Sequence, residues 1–517
     1  MVKVLFVAGE AAPFAKTGGL GDVIASLPKE LRNQGLDARV IIPKYSDISE
    51  EYKRRLLPET VVQVPVSWRL QYCGVEKLEH DGVPFYFIDN EYYFRRAGFY
   101  GHYDDAERYA FFCRAVLEVL PHIDFQPHVL HCHDWHSGMV SVFLHAHYRG
   151  NPFYERMKTI FTIHNLKYQG VFPKDILINL LDLNWDYFTV NGIEFYDQIN
   201  FMKSGVTFSD LVTTVSPSYA NEIQHSYFGE KLEGVLANRH NDLSGIINGI
   251  DYEIYNPATD PNLFINYDGK TAKRKNKNKL ELQKMLGLPP DINKPLLAMC
   301  TRLVEGKGID LVLRVLNEIL DGDVQMVILG QGDEDYHHTL WQASWIHHNN
   351  LSVIIPYRES LSRKVFAAAD LLLMPSRYEP CGLGQLIAMR YGALPIVHET
   401  GGLKDTIQSY NEFTGEGNGF SFTNYNAHDM LYTIRRALIF YHDKQLWQKL
   451  VQRVMRTDNS WTNSAKKYRQ LYHSLFMEEH VYKAATASPK ISVPPDLDEF
   501  VPDYTQFVPA KEILYAH

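Results

Sequence analysis

The chain is predicted to be an α/β protein made of two doubly wound domains in tandem. Its 517 residues exceed the size at which a single hydrophobic core keeps growing. Short apolar runs alternate with longer amphipathic stretches, the pattern of parallel strands joined by crossover helices. These alternations come in two sets, with the boundary between them near residues 245–255.

The first set places strands at residues 4–8 (VLFVA), 39–43 (RVIIP), 128–132 (HVLHC), 159–163 (TIFTI) and 211–215 (LVTTV). Between the first two, Leu20, Val23, Ile24, Leu27 and Leu31 recur at helical spacing, with Gly35 as the stop. Pro28 sits inside that pattern, where it removes a backbone donor and is expected to kink the helix. Residues 61–88 read instead as a small antiparallel insertion, with His80-Asp81-Gly82 as a turn. The second set places strands at 295–300 (PLLAMC), 324–329 (VQMVIL), 352–356 (SVIIP), 371–375 (LLLMP) and 394–398 (LPIVH). The basic run 269–284 is read as a solvated helix start in preference to a phosphate or nucleic-acid site. Residues 489–509 hold five prolines and read as an extended tail whose Phe500, Tyr504 and Phe507 are able to dock on the body.

A net charge of −9 argues against a general nucleic-acid binder. The five cysteines are scattered and form no CxxC pair, which suits a reducing compartment better than a disulfide framework or a zinc ribbon. No apolar run approaches the ~18–20 residues of a membrane span, and the N-terminus does not resemble a signal peptide. A soluble cytoplasmic protein is expected.

Several strand-to-helix connections carry chemistry. Lys16-Thr17-Gly18-Gly19 opens the first helix, where backbone N–H groups, the helix dipole and a lysine suit an anion. A tight turn with a surface lysine accounts for the same residues. An NAD-binding turn is disfavoured, because GxGxxG is absent and the second strand ends in Pro43-Lys44 instead of an acidic residue. In "HCHDWHSG", His131 and His133 share a strand face as metal ligands would, yet no companion cluster stands at ligand spacing. Asp134, at the strand's end, is better read as hydrogen bonding to substrate. His164 and Asn165 repeat that arrangement, although a histidine satisfied by neighbouring backbone fits equally. Arg302 and Lys307 lie on one connection and are spaced to clamp a diphosphate, as forked donor and point charge. Glu379 follows a strand in "PSRYEPCGLGQL", where a carboxylate can hold sugar hydroxyls. Cys381 beside it is either a reactive thiol or, by preference, an inert buried one. Thr400-Gly401-Gly402-Leu403 repeats the Thr-Gly-Gly-Leu of residues 17–20.

In order along the chain, "KTGGLGDV", "HCHDWHSG", "FTIHNLKYQG", "SPSYANEI", "IINGID", "TRLVEGKG", "PSRYEPCGLGQL" and "TGGLKDT" resemble the bacterial glycogen synthase and plant starch synthase family of retaining glucosyltransferases. The resemblance spans roughly residues 1–476. It implies a GT-B fold, two Rossmann-like domains facing across a central cleft that opens and closes. Residues 1–247 would form the glucan acceptor side and 248–459 the nucleotide-sugar donor side. A helix over 460–476 would cross back to the first domain, followed by a Pro-rich tail over 477–517. The implied reaction moves glucose from a nucleotide sugar, ADP-glucose, to the non-reducing end of an α-1,4-glucan such as glycogen. No metal or other cofactor is implied, and no nucleic-acid or membrane partner.

Carried over by position, Lys16 matches the lysine beside the donor phosphates and sugar, and Arg302 and Lys307 the pair that meets the departing diphosphate. Glu379 matches the carboxylate on the donor glucose hydroxyls. Asp134 and His164 match positions around the transferred sugar, and Asn248 the asparagine of the inter-domain "NG". Gly18, Gly19, Asp22, Cys381, Gly382, Leu383, Thr400, Gly401 and Gly402 match segments around the nucleotide and sugar. One departure is Ile387, which stands eight residues after Glu379 where many retaining GT-B enzymes have a second glutamate. A non-catalytic glucan-binding protein on the same fold is the alternative, and the presence of Lys16, Arg302, Lys307 and Glu379 counts against it.

Overall fold

A computed structural model describes residues 1–486, with side chains described through Phe476. Strands β1 (Lys3–Val7), β2 (Asp37–Pro43), β3 (Leu57–Val66), β4 (Arg69–His80), β5 (Val83–Asp89), β6 (Val129–His133) and β7 (Lys158–Ile163) come first. They are followed by β8 (Val171–Pro173), β9 (Glu194–Phe195), β10 (Gln198–Asn200), β11 (Leu211–Thr214) and β12 (Leu243–Gly245). A nine-stranded sheet has the order β12-β11-β7-β6-β1-β2-β5-β4-β3, and β8, β10 and β9 form a small sheet of their own. From β12 through β5 the pairing is parallel. Helices cover both faces of such a sheet, which is why its strands are continuous apolar runs and why Val4, Leu5, Phe6 and Val7 are fully buried.

The expected separate insertion is an extension of this sheet. β5 pairs parallel to β2, with Val40 opposite Phe85, and β4 and β3 are added antiparallel beyond it. The β4–β5 turn has positive φ at both Asp81 and Gly82, the geometry that matches strand twist in a two-residue hairpin.

The second sheet is parallel throughout: β13 (Leu296–Leu303), β14 (Gln325–Gly332), β15 (Leu351–Ile354), β16 (Leu371–Met374), β17 (Leu394–His398) and β18 (Phe420–Phe422). Its order is β15-β14-β13-β16-β17-β18. Both sheets wind outward from a first strand in two directions, so each has a switch point where the connections diverge. In the first sheet this lies between β1 and β6, in the second between β13 and β16. Connections leaving such a strand pair at its carboxyl ends part to opposite faces and open a crevice.

The helix Gly19–Asn33 continues uninterrupted past Pro28, and Gly35 at φ 87° ends it. The helix Trp461–Thr486 starts beside the second sheet and carries Tyr468 and Tyr472, both fully buried, to the first. There the Tyr472 hydroxyl lies 2.8 Å from His131 Nδ1 on β6. Residues Met1–His473 belong to one compact unit that contains both sheets. The Pro-rich run 489–509, with Phe500, Tyr504 and Phe507, lies outside the described residues.

The basic run keeps the expected solvated face, with Lys270, Lys273, Arg274, Lys277 and Lys284 exposed, but two of its lysines turn inward. In the helix Lys275–Met285, the buried Lys275 ammonium donates to the carbonyls of Phe366, Ala367 and Tyr391 at 3.0, 2.9 and 3.1 Å. The buried Lys279 meets Asp370 at 2.7 Å. Lys275 thereby satisfies carbonyls left over where the helices Glu359–Ala368 and Gly384–Arg390 end. Among the described residues no helix is long and apolar enough to cross a membrane.

Candidate active site

A cavity of about 880 Å3 opens where the carboxyl ends of the two sheets meet. Its walls come from the connections after β1, β6 and β7 on one side and after β13, β14 and β16 on the other. Both switch points therefore empty into one space.

On the first wall the chain leaves β1 through Glu10, which the sequence offered only as a break in an apolar run. Its buried carboxylate accepts the Thr17 amide and the Thr17 hydroxyl, both at 2.6 Å, and the Tyr100 hydroxyl at 2.6 Å. The Thr17 amide thus turns inward, and Glu10 fixes the approach to the helix Gly19–Asn33. That helix has no side-chain cap at Gly18, so its first-turn N–H groups remain available beside the cavity. Gly18 is extended, and a Cβ there would meet nothing within 4 Å. No packing or strain requires this glycine, and the open space above it is cavity. A Cβ on Gly19 would reach only Leu383 of the opposite wall, at 3.9 Å.

Lys16 itself does not line the cavity. Its ammonium is 2.7 Å from Asp22 Oδ1, and Asp22 does line it. Burial raises the Asp22 carboxyl above the usual range against the pull of Lys16.

At the end of β6, Asp134 takes φ 55°, a conformation costly for a side-chain-bearing residue. It is held there by its own carboxylate, which accepts the His164 amide at 2.7 Å and the Asn165 amide at 3.4 Å. Burial lifts the Asp134 carboxyl to about 7, partly offset by those donors. His164 and His133 share a hydrogen bond, Nε2 to Nδ1, at 2.9 Å. Burial pulls His164 down to about 3, so it is a neutral imidazole whose proton position is coupled to that of His133. His131 is committed to Tyr472 and to Thr162 at 2.6 Å, which removes the metal-ligand pair.

On the second wall, Lys307 Nζ is 2.6 Å from Glu379 Oε2, which also accepts the Ser376 hydroxyl at 3.0 Å. Gly308, at φ 75°, lets the turn close: a Cβ there would sit 2.2 Å from the Pro375 carbonyl. Arg302 is exposed and has no ion pair among the described residues. Asn248 is buried, lines the cavity and leaves its Oδ1 without a partner in the protein. Gly382 holds φ 73° next to Leu383. Cys381 is buried, and its thiol is pushed up to about 12, which makes it inert.

Of the expected site residues, the cavity gathers Gly18, Gly19, Asp22, Asp134, His164, Asn248, Arg302, Lys307, Glu379, Cys381, Gly382 and Leu383. It does not gather Lys16, Thr400, Gly401 or Gly402. Cβ atoms on Gly401 and Gly402 would each lie 2.1 Å from a backbone oxygen, of Glu379 and Cys381 respectively. Their glycines are required because this turn packs beneath the Glu379 loop. The Gly401 amide and Thr400 hydroxyl face Glu222, at 2.9 and 3.4 Å for the nearer contacts. The two Thr-Gly-Gly stretches therefore differ: one bounds the cavity, the other supports its wall.

Residues missed from sequence include Glu10, Tyr100, Trp135, Lys167 and Tyr378, while Asn165, named there beside His164, does line the cavity. Lys167 and Tyr378 reach across the cavity to each other at 3.2 Å. Trp135, Lys167 and Tyr378 lay inside the motifs named above, and Glu10 followed the first strand's carboxyl end. Tyr100 carried no such signal.

Comparison with solved structures agrees with this geometry. The catalytic domain of Starch Synthase IV from Arabidopsis thaliana, bound to ADP and acarbose, superposes with a TM-score of 0.85 at 34% identity. That match covers 92% of this chain and 99% of the other. Sucrose-phosphate synthase from Thermosynechococcus elongatus, 17% identical with a TM-score of 0.58, shares the fold. Fold and site together define a glycosyltransferase of the GT-B type.

Residues 3–238 match the family described as starch synthase catalytic domain, and residues 287–452 match glycosyl transferases group 1. Glycogen synthase of Geobacillus thermodenitrificans is 56% identical over 478 residues, covering 92% of this chain and 99% of that relative. Glycogen synthase of Desulforamulus reducens is 54% identical over 474 residues, with the same coverage. The chain belongs to the glycogen synthase family.

Proposed function

We propose that this cavity transfers glucose from ADP-glucose to the non-reducing end of an α-1,4-glucan, with retention of anomeric configuration. The observation that carries this is the convergence of Arg302 and the Lys307–Glu379 pair with His164, Asp134 and the uncapped helix at Gly19 on one space. Bond breaking at the anomeric carbon loads charge onto the departing diphosphate. Lys307, held by Glu379, and the N–H groups of the Gly19–Asn33 helix stand ready to receive it, with Arg302 on the same wall, and such preorganised donors supply much of an enzyme's rate. Glu379, held by Lys307 and Ser376, offers its remaining acceptor capacity to sugar hydroxyls. Neutral His164 adds an uncharged donor or acceptor beside the forming bond, and the unpaired Asn248 Oδ1 awaits a ligand donor. Lys16 acts here through Asp22.

In this proposal residues 1–247 present the acceptor, 248–459 hold the donor, and the helix from 460 ties the second to the first. The His131–Tyr472 bond supports that tie. Motion of the two sides closes the cleft over the donor, with Lys167 and Tyr378 as a contact between them. Five free cysteines and bacterial relatives support a cytoplasmic location. Incubation with labelled ADP-glucose or UDP-glucose and glycogen tests the assignment. Label in precipitated polymer, with ADP-glucose the better competitor, is expected. No incorporation from either donor overturns it.

A further inference from the structure

The helix Glu334–Ile346 leaves β14 at the cavity wall through Asp333. Only Leu340 of this helix is buried. Two tryptophans one turn apart stand out from it: Trp341 is 53% exposed and Trp345 67%. Their rings touch edge to face, centroids 5.6 Å apart and planes at 72°. Large indoles normally bury most of their area, and two adjacent ones left in water mark a binding surface.

The chemistry around them is specific. From residue 336 to 357 the chain carries no Asp, Glu, Lys or Arg, although 22% of all its residues are charged. His338 and Gln342 share the helix face of Trp341 and Trp345, at i, i+3, i+4 and i+7 spacing. They are linked to each other at 2.7 Å. His348 and Asn349 follow just past the helix end and are exposed. An uncharged face that pairs indoles with neutral donors and acceptors does not suit a nucleic acid or a charged peptide. It suits a neutral polyol with apolar C–H faces, which is a polysaccharide. The tilt between the rings suits a ligand that curves, as an α-linked glucan does, over a flat β-linked ribbon.

We infer that Trp341 and Trp345 form a second α-glucan site on the donor-side domain, outside the catalytic cavity. This inference rests on the glucan reading of the acceptor proposed above. At 1.5 Å rise per residue the pair stands roughly 12–18 Å along the helix from Asp333. One branch of a large glucan held there raises the local concentration of chain ends at the cavity, without contributing to the reaction itself.

The test compares the parent with Trp341→Ala/Trp345→Ala, both exposed positions where truncation leaves the core intact. Retardation in a native gel containing glycogen, run without donor, reads binding. Initial rates read KM for glycogen and for a short linear maltooligosaccharide. The double variant is expected to lose most of its retardation and to show a glycogen KM raised about tenfold. Its kcat and its kinetics on the short acceptor stay at parental values, and Trp→Phe at both positions restores part of the retardation. Unchanged retardation and KM overturn the inference. So does equal retardation by a soluble β-glucan, or a change in sedimentation that shows the indoles join two copies of the chain. A parent that is retarded through the indoles yet transfers no glucose overturns the catalytic proposal and leaves this site standing.

Discussion

Lys307 and Glu379 meet at 2.6 Å although they follow different strands, β13 and β16, which flank the point where the second sheet reverses its winding. The pair is mostly shielded, with side chains 16% and 12% exposed. Lys307→Ala removes the diphosphate's cation and leaves Glu379 uncompensated. Turnover is expected to fall about 10²–10³-fold, as when one preorganised donor is lost. Glycogen retardation in a donor-free gel should be unaltered, and a variant with parental kcat would remove Lys307 from the reaction.

Glu10 is expected to act by positioning. Glu10→Gln puts an amide where the Thr17 amide and two hydroxyls now donate, so the turn before Gly18 shifts. Displacements of about 1 Å at such a site cost up to ~10²-fold. The donor kcat/KM should drop accordingly, with a thermal midpoint lowered by only a few degrees. Tyr100→Phe should reproduce a milder form.

The two Thr-Gly-Gly stretches separate by substitution. Gly18→Ala meets no protein atom and should unfold at the parental temperature while its KM for donor rises. Gly402→Ala drives a methyl to 2.1 Å from the Cys381 carbonyl and should lose stability, by about 1–3 kcal/mol or more. Calorimetry of both variants beside donor kinetics checks the contrast. Equal thermal loss in the two contradicts it.

Acid should destabilise the protein through its buried imidazoles. His131 and His133 are held well below their usual range by burial, and His136 and His164 are pulled down to about 3. Each contributes stability that is complete above the unfolded value near 6.5 and fades as pH falls towards the folded value. Asp134 opposes them. Raised to about 7, its contribution is complete below the unfolded value near 3.9 and is lost as pH climbs through 7. Between roughly pH 6.5 and 4 the histidines outnumber it, so the thermal midpoint should fall on acidification. Asp134→Asn removes the opposing proton, and its midpoint should fall more steeply than the parent's. A shallower fall would refute the assignment.

Lys275→Met is expected to destabilise without impairing catalysis at low temperature. The substitution strips three carbonyls of their donor in a buried pocket. A loss of about 2–4 kcal/mol in denaturant unfolding is expected, from unmet acceptors. Parental stability would place that ammonium elsewhere.

Most strands could be read from the chain because a parallel strand covered on both faces carries a continuous apolar run, as Val4–Val7 of β1 and Leu296–Cys300 of β13 do. β12 and β18 could not, since three residues at a sheet edge carry no period. The place of β5 beside β2 rests on pairing between residues forty or more apart, which no local pattern encodes. Charge misled at Lys275 and Lys279, where carbonyls from distant helix ends and the Asp370 carboxylate respectively replace water. In the site, motif-borne residues such as Glu379 and His164 were legible. Glu10 was not, because its importance lies in which amide its carboxylate reaches. Thr400, Gly401 and Gly402 were legible as special but not as supports, since a glycine needed for backbone packing looks the same as one needed for a ligand.

The hydrogen bond between His131 and Tyr472 has a bearing on how the protein is made. β6 leaves the ribosome early, yet the hydroxyl that satisfies its buried imidazole arrives 341 residues later. Domains emerging from synthesis generally fold in order, first one and then the next. Here the earlier sheet holds a buried imidazole whose Nδ1 is met by a hydroxyl from the helix Trp461–Thr486. The nascent first half is therefore an unfinished object until a residue 341 positions after His131 has been made. A chain cut short before Tyr472 carries every residue that lines the cavity and still lacks a buried partner of the first sheet.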